Sequence, residues 1–363
     1  MQRLAVTLTA TDDGGGTATS TETVSVVEPN LRPIAGFTYD CTGLTCSFTD
    51  TSTDSDGTVV SWSWDFGDGS GTSTVQNPSY TYAAAGTFNV TLTVTDNSGG
   101  TDFQTQPVTV TAGNPGDVIY LTAGNTSGSV GGITFKDEDI IAYDVGTDTW
   151  SLFFDGGDVG LGGSNARDIN GLTVLANGDI LFSVKGQSTI PDVGTVNAYD
   201  IIRFTGTTGP NTSGTFSLYL DGASVGLIGE NINGISFAPD GRLIVSLSDA
   251  FSVPGVSGRD EDLIALDLSG TAWSMYIDGS DVALNTTSDE DIEGVWVDSA
   301  TGDTYLTTKG PFSVPGASGD ASDIFVCTNG SYGTTTSCTF ASYWVGALHG
   351  LAGIDVIGIH VER

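Results

Sequence analysis

Four times in this chain an acidic or amide residue opens a short strand that soon meets a glycine. The copies are Asp168-Ile169-Asn170-Gly171, Asn231-Ile232-Asn233-Gly234, Asp291-Ile292-Glu293-Gly294 and Asp355-Val356-Ile357-Gly358, recurring after 63, 60 and 64 residues. A period of that length marks an array of one supersecondary unit, because each unit can bury its apolar face only against a neighbour. Each phrase leads into a hairpin: Leu172 to Leu175, the turn Ala176-Asn177-Gly178, then Asp179 to Ser183. The next copy runs from Ile235 to Ala238, through Pro239-Asp240-Gly241, to Arg242 and Ser246. A loop around Val253-Pro254-Gly255, a third strand from Asp262 and a fourth from Trp273 complete the unit. The third strands open with a ladder of their own, Asp139, Asp200, Asp262 and Asp323, spaced by 61, 62 and 61 residues.

Four strands in each of four units predict a four-bladed β-propeller over residues 114–363. The stretch from Asp117 to Thr122 has the register of a second strand, and the segment from Asp355 to Val361 supplies its missing first strand. The C-terminal strand is therefore expected beside Tyr120, where it closes the ring and removes an open sheet edge. The hairpin phrase from Gly234 to Leu243 resembles that of bacterial propellers, including gluconolactonase-like and NHL-like ones. That resemblance implies a strand, a turn and a strand, and no activity.

Residues 31–113 carry Trp62-Ser63-Trp64-Asp65-Phe66-Gly67-Asp68-Gly69, then Tyr80-Thr81-Tyr82-Ala83-Ala84-Ala85-Gly86-Thr87-Phe88, then Val90 to Asp96. This segment resembles a PKD domain (polycystic kidney disease type), which implies an immunoglobulin-like β-sandwich. Alternating apolar residues and tryptophans available for an inter-sheet core agree with it. Val6 to Asp12 repeats Val90 to Asp96 at a distance of 84 residues. Residues 1–30 thus read as the last strands of a preceding PKD-like domain. Two strands cannot bury a face alone. They are expected to belong to a longer protein, or else to pair with a neighbouring subunit as a filament or sheath would.

With 44 Asp and Glu against 10 Lys and Arg, the net charge is −34, and no cation occurs between Pro33 and Phe135. Such a surface repels nucleic acid and anionic lipid, so neither is an expected partner. At high ionic strength, screening over roughly 8 Å or less relieves its self-repulsion. The cysteines fall as two close pairs, Cys41 with Cys46 and Cys327 with Cys338, expected to form hairpin disulfides in an oxidising compartment. Sequons occur at Asn89, Asn125, Asn211, Asn285 and Asn329. The sequence shows no membrane span.

The residues that repeat most closely share one rim of the expected propeller. Asp168, Asn231, Asp291 and Asp355 enter the first strands, and Asp139, Asp200, Asp262 and Asp323 enter the third. Such rings of oxygen could chelate calcium, which takes six to eight oxygens, or each Asp could accept backbone N–H bonds from neighbouring turns. The acidic turns of the PKD-like segment, Asp54, Asp56 and Asp65, are a second calcium candidate, implied by the resemblance. Asymmetric residues on the same rim are Lys136, Arg167, Lys185, Arg259, Lys309 and Trp344, candidates for gripping an anionic group. His349 with Asp355 is the candidate base for catalysis; His360 sits at a strand position and reads as structural. No nucleophile elbow or zinc-type cluster appears.

The expectation is a secreted or cell-surface binding and adhesion protein. PKD-like spacers present a calcium-stabilised propeller to an extracellular protein or glycan. The alternatives are a filament subunit and an extracellular hydrolase or lactonase; an enzyme is the less favoured class.

Overall fold

The computed structural model describes the chain apart from residues 1, 27–28, 83–85, 111–115, 125–126, 164–166, 271, 286 and 288, and apart from the side chains of residues 2, 26, 42 and 329. The fold is all-β. It divides into two compact units, one built on the sandwich and one on four larger sheets.

In the first unit, Gln2–Thr11 pairs antiparallel with Thr17–Val26. Asp12 closes the turn, its Oδ1 accepting from the N–H of Gly14 and Gly16 at 3.0 and 2.7 Å. Asp96 repeats this with Ser98 and Gly100, at 2.7 and 2.9 Å, so the sequence repeat is also a repeat of turn geometry. The sandwich stacks a three-stranded sheet (Phe37–Thr42, Thr45–Asp50, Ser79–Thr81) with a four-stranded one (Thr72–Ser73, Val59–Asp65, Gly86–Asp96, Thr101–Val110). Trp64 is buried between Phe37, Phe48 and Phe66, at ring separations of 5.1, 5.4 and 6.4 Å. The acidic residues of the tryptophan motif hold its turns: Asp65 accepts from Gly67 N–H, and Asp68 from Ser70 and Gly71 N–H. The Ala83 to Ala85 part of the motif and the junction near 113 lie outside the described residues.

The second unit has four four-stranded antiparallel sheets. The second sheet orders Ile169–Val174, Ile180–Val184, Ile201–Thr207 and Ser213–Leu220. The third orders Ile232–Phe237, Leu243–Leu247, Leu263–Leu266 and Trp273–Ile277. The fourth orders Ile292–Val297, Thr304–Thr308, Ile324–Ser331 and Ser337–Trp344. The first takes its leading strand from the far end of the chain: Val356–Glu362 pairs with Val118–Ala123, followed by Ile140–Asp144 and Thr149–Phe154, with Tyr120 opposite His360. The expected pairing of the C-terminal strand is present. Between second and third strands each sheet carries a two-stranded hairpin where the sequence indicated only a loop; Val253 and Val256 flank one such turn.

Consecutive sheets are tied at equivalent points. The N–H groups of Ile169, Ile232, Ile292 and Val356 donate to the carbonyls of Asp137, Ala198, Asp260 and Ala321, each in the preceding sheet's loop, at 2.9–3.1 Å. The last of these links the fourth sheet to the first. Side chains from the second strands add cross-links: Thr122, Ser183 and Ser246 hydroxyls donate to the carbonyls of Asn170, Ile232 and Glu293. Apolar residues of adjoining sheets, such as Tyr120 with Leu172 and Leu181 with Ile235, share buried clusters. Both expected disulfides form, Cys41 with Cys46 and Cys327 with Cys338. Among the described residues no helix is long and apolar enough to cross a membrane.

Candidate functional site

The four phrase strands begin around a cavity of about 320 Å³, here called the mouth. Side chains two apart on a strand share a face, so positions one and three of the phrase line it together: Asp168 with Asn170, Asn231 with Asn233, and Asp355 with Ile357. In the fourth sheet Glu293 lines it and Asp291 stands beside it. The residues that end the second strands complete the wall. Gly124, Lys185, Ser248 and Lys309 each donate a backbone N–H to the carbonyl of the position-one residue, at 2.9–3.1 Å. Repetition of the backbone thus brings varied side chains to equivalent places.

Burial governs the carboxyls here. Asp168 is 3% exposed, and its Oδ2 has no hydrogen-bond partner among the described residues. Burial, then the charge of Asp137, pushes its pKa up to about 6, with Lys185 opposing. Burial likewise raises Glu293 to about 7, against the attraction of Lys309 and Lys185. Asp291 and Asp355 are also raised by burial. Lys309 Nζ lies 3.3 Å from Asp291 Oδ2, which holds the ammonium charged. The mouth therefore offers protonatable oxygen, amides and two ammonium groups within one small volume.

The other sequence candidates lie elsewhere. Asp139, Asp200, Asp262 and Asp323 each span two loops. Their Oδ2 atoms accept from the N–H of Lys136, Asn197, Arg259 and Asp320, and their Oδ1 atoms from Gly156, Gly222, Gly279 and Gly346, all at 2.8–3.1 Å. Both oxygens of each are engaged by backbone. Asp65 caps its own turn, Asp56 accepts from Leu31 N–H, and Asp54 keeps a buried Oδ2 without a partner near Asn97. Among the described residues no group of three or more His, Cys, Asp or Glu is placed to hold a metal.

Trp344 is corrected from a ligand-facing residue to a core one: it is fully buried, stacked on His349 at 5.3 Å. His349 does not meet Asp355. Its Nδ1 lies 2.7 Å from the Tyr143 hydroxyl and 3.2 Å from Asp148 Oδ1, and burial lowers its pKa. The cations do not form one basic patch. Lys136 pairs with Glu138, Arg167 donates to the carbonyls of Gly160 and Gly162, and Arg259 is exposed; only Lys185 and Lys309 line the mouth. Asn89, Asn211 and Asn285 are exposed, whereas Asn125 and the side chain of Asn329 lie outside the described residues.

Gly124, Asn170, Asn233, Ser248, Glu293 and Ile357 are the mouth residues that sequence reasoning passed over. Position three varies from copy to copy, and the available signal was its period-two relation to position one.

Residues 26–112 match the family described as PKD domain, so the sandwich is a PKD domain. Among solved structures, the PKD1 domain of Vibrio anguillarum Epp is 41% identical, covering 23% of this chain and 96% of that one, with a TM-score of 0.22. The PKD1 domain from Vibrio cholerae metalloprotease PrtV is 45% identical, covering 22% and 98%, with a TM-score of 0.21. A structure of carbohydrate-binding modules from the β-sandwich superfamily is 22% identical, covering 53% and 80%, at a TM-score of 0.22 that carries no functional weight. Curated protein sequences give no significant match.

Proposed function

We propose that this chain is an extracellular binding module in which the PKD domain is an acidic spacer and the four sheets are the blades of a four-bladed β-propeller. Supporting the propeller are the cyclic backbone ties from Asp137–Ile169 round to Ala321–Val356 and the pairing of Val356–Glu362 with Val118–Ala123. Supporting an extracellular setting are the PKD domain, two disulfides and a net charge of −34. The mouth is the binding site, and its partner is a glycan or protein that presents hydroxyl or ammonium donors.

The observation that carries this is the Asp168 Oδ2, buried, without a hydrogen-bond partner among the described residues, on a residue that lines the mouth. A buried acceptor left unmade costs about 1–3 kcal/mol, which a donor from a bound partner recovers. This reading places no calcium on the third-strand ring, whose carboxylates already accept from backbone N–H groups. The hydrolase alternative loses its base, because His349 bonds Tyr143 and Asp148 instead of Asp355. The test is binding of the full chain to an array of immobilised glycans and extracellular-matrix proteins. A bound partner lost or weakened about tenfold in Asp168→Asn, with melting unchanged, supports the mouth; equal binding by the variant refutes it.

The second reading, self-assembly, draws on the N-terminal hairpin, where Leu4, Val6, Leu8 and Val24 are all about half exposed or more. Sedimentation over a range of concentrations tests it: assembly that vanishes on deleting residues 1–28 supports it, and a monomer throughout removes it.

A further inference from the structure

At the opposite ends of the phrase strands lies a larger cavity, of about 800 Å³, within the usual size of small-molecule sites. The hairpin turn Ala176-Asn177-Gly178 lies at that end. Its walls are aromatic. Phe153 and Phe237 are half-buried, and Tyr120, His360 and Trp296 continue the surface. Tyr120 lies 4.3 Å from Phe153 and 5.8 Å from His360, which in turn lies 5.8 Å from Trp296.

Arg363 is paired inside the protein, while Glu362 meets a neutral hydroxyl. Arg363 Nη1 donates to Asp298 Oδ2 at 2.7 Å, and its guanidinium stands 5.9 Å from the Trp296 ring. The Tyr120 hydroxyl donates to Glu362 Oε2 at 2.5 Å. His360 has Thr173 Oγ1 at 3.2 Å from Nδ1, and burial lowers its pKa to about 3, so the imidazole is neutral. Hydroxyls of Thr173, Ser236 and Ser299 complete the lining.

We infer that this cavity binds a neutral hexopyranose ring of an uncharged saccharide. Three properties select that class. The aromatic faces match the C–H faces of a sugar ring. The hydroxyls and the imidazole match its equatorial hydroxyls, and a purely apolar guest would strand them without water. An anion is repelled by the Glu362 carboxylate, which meets only a neutral hydroxyl, and by the −34 surface. The cavity is separate from the mouth and stands or falls without it.

The test titrates the full chain by calorimetry with cellobiose, maltose, lactose and chitobiose, with glucuronate and indole as the charged and apolar arms. Two variants locate the site: Phe153→Ala removes one stacking face, and Ala176→Arg projects a long side chain from an exposed turn at the cavity lip. At least one neutral disaccharide is expected to bind, about tenfold more weakly in Phe153→Ala and not at all in Ala176→Arg, with the melting temperature of the latter unchanged. Glucuronate and indole are expected to bind more weakly than that disaccharide. The inference is overturned if no neutral disaccharide binds at about 10 mM, a concentration that detects even a −3 kcal/mol interaction. It is equally overturned if Ala176→Arg binds normally, or if indole or glucuronate binds better.

Discussion

Gly358 lies so close to Asn170 that a Cβ on it would sit 2.4 Å from the Asn170 carbonyl oxygen. The same relation recurs from sheet to sheet: Gly171 against Asn233 O at 2.9 Å, Gly234 against Glu293 O at 2.8 Å, and Gly294 against Ile357 O at 3.1 Å. In each case the oxygen belongs to the residue just before the next phrase glycine. The glycine of the repeated phrase therefore serves close approach between neighbouring phrase strands, not a turn.

Replacing Gly358 by alanine forces a methyl group into a backbone oxygen that cannot swing aside, with Thr122 Oγ1 also only 2.5 Å away. Overpacking of this kind costs about 1–3 kcal/mol. Gly270→Ala is the contrast, since the nearest atom there is 3.8 Å away and φ is ordinary; it is expected to be neutral or slightly stabilising. Denaturant midpoints of the two variants should separate clearly, and equal midpoints would show that the phrase glycines are not close-packed.

Glu293 gives the mouth a pH signature. Its folded pKa, raised to about 7 by burial, exceeds its unfolded value, so the folded state holds the proton longer. Stability from this group is greatest below the unfolded carboxylate range and falls as pH rises toward 7, then levels off. Relative to wild type, Glu293→Gln should be insensitive over that window and gain of order 1 kcal/mol at pH 8 after screening by Lys185 and Lys309. Melting curves of both proteins at pH 5 and pH 8 read this difference directly; parallel pH dependence would place Glu293 in water.

Much of this architecture was legible because strand period and Asp or Gly turns are local. The 84-residue offset of Val6 to Asp12 from Val90 to Asp96, the two disulfides and the pairing near Tyr120 all follow from spacing. Side-chain destinations were not legible in the same way. Trp344 looked rim-facing because it ends a strand, yet tertiary packing against Tyr143 and His349 buries it. Asp139 and its three equivalents repeat because each must join two turns, a structural reason for repetition that mimics a ligand ring. The larger cavity was invisible for another cause: Trp296 and His360 stand two residues after their phrase glycines, but Thr173 and Ser236 fill the same place in the other copies, so residue type shows no repeat there, and Tyr120 and Phe153 join them from other strands of the first sheet.

The Cys327–Cys338 bridge spans 11 residues and joins the third and fourth strands of the fourth sheet, with Cys327 fully buried. Chain-entropy reasoning assigns such a loop about 3 kcal/mol, through the unfolded state. The double variant Cys327→Ser, Cys338→Ser should lower the denaturation free energy of the four-sheet unit by about 2–3 kcal/mol. Wild type with a thiol reductant should behave like the variant, and a variant as stable as the oxidised protein would contradict the assignment.

The segment from Val356 to Arg363 decides whether the second unit holds together. Val356, Ile359 and Val361 are buried to within about 1% exposure, and burying each contributes about 1.5–3 kcal/mol. The sum is comparable to the whole stability of an ordinary domain. Arg363 adds a charge link, with Asp298 at 2.7 Å, just after Ile292–Val297, and Asp117 at 3.6 Å, just before Val118–Ala123. Deleting residues 353–363 leaves those two carboxylates without their guanidinium and exposes the edge of Val118–Ala123. Calorimetry of the shortened chain should lose the transition of the four-sheet unit while the PKD sandwich, whose core is its own, still melts. Arg363→Ala should keep both transitions and lose about 1–3 kcal/mol from the larger one. Adding the missing segment back as a peptide should restore the lost transition, because its hydrogen-bonding edge and apolar slot remain encoded in the strands beside it. Survival of the four-sheet transition without that segment would mean that the sheets hold one another without closing.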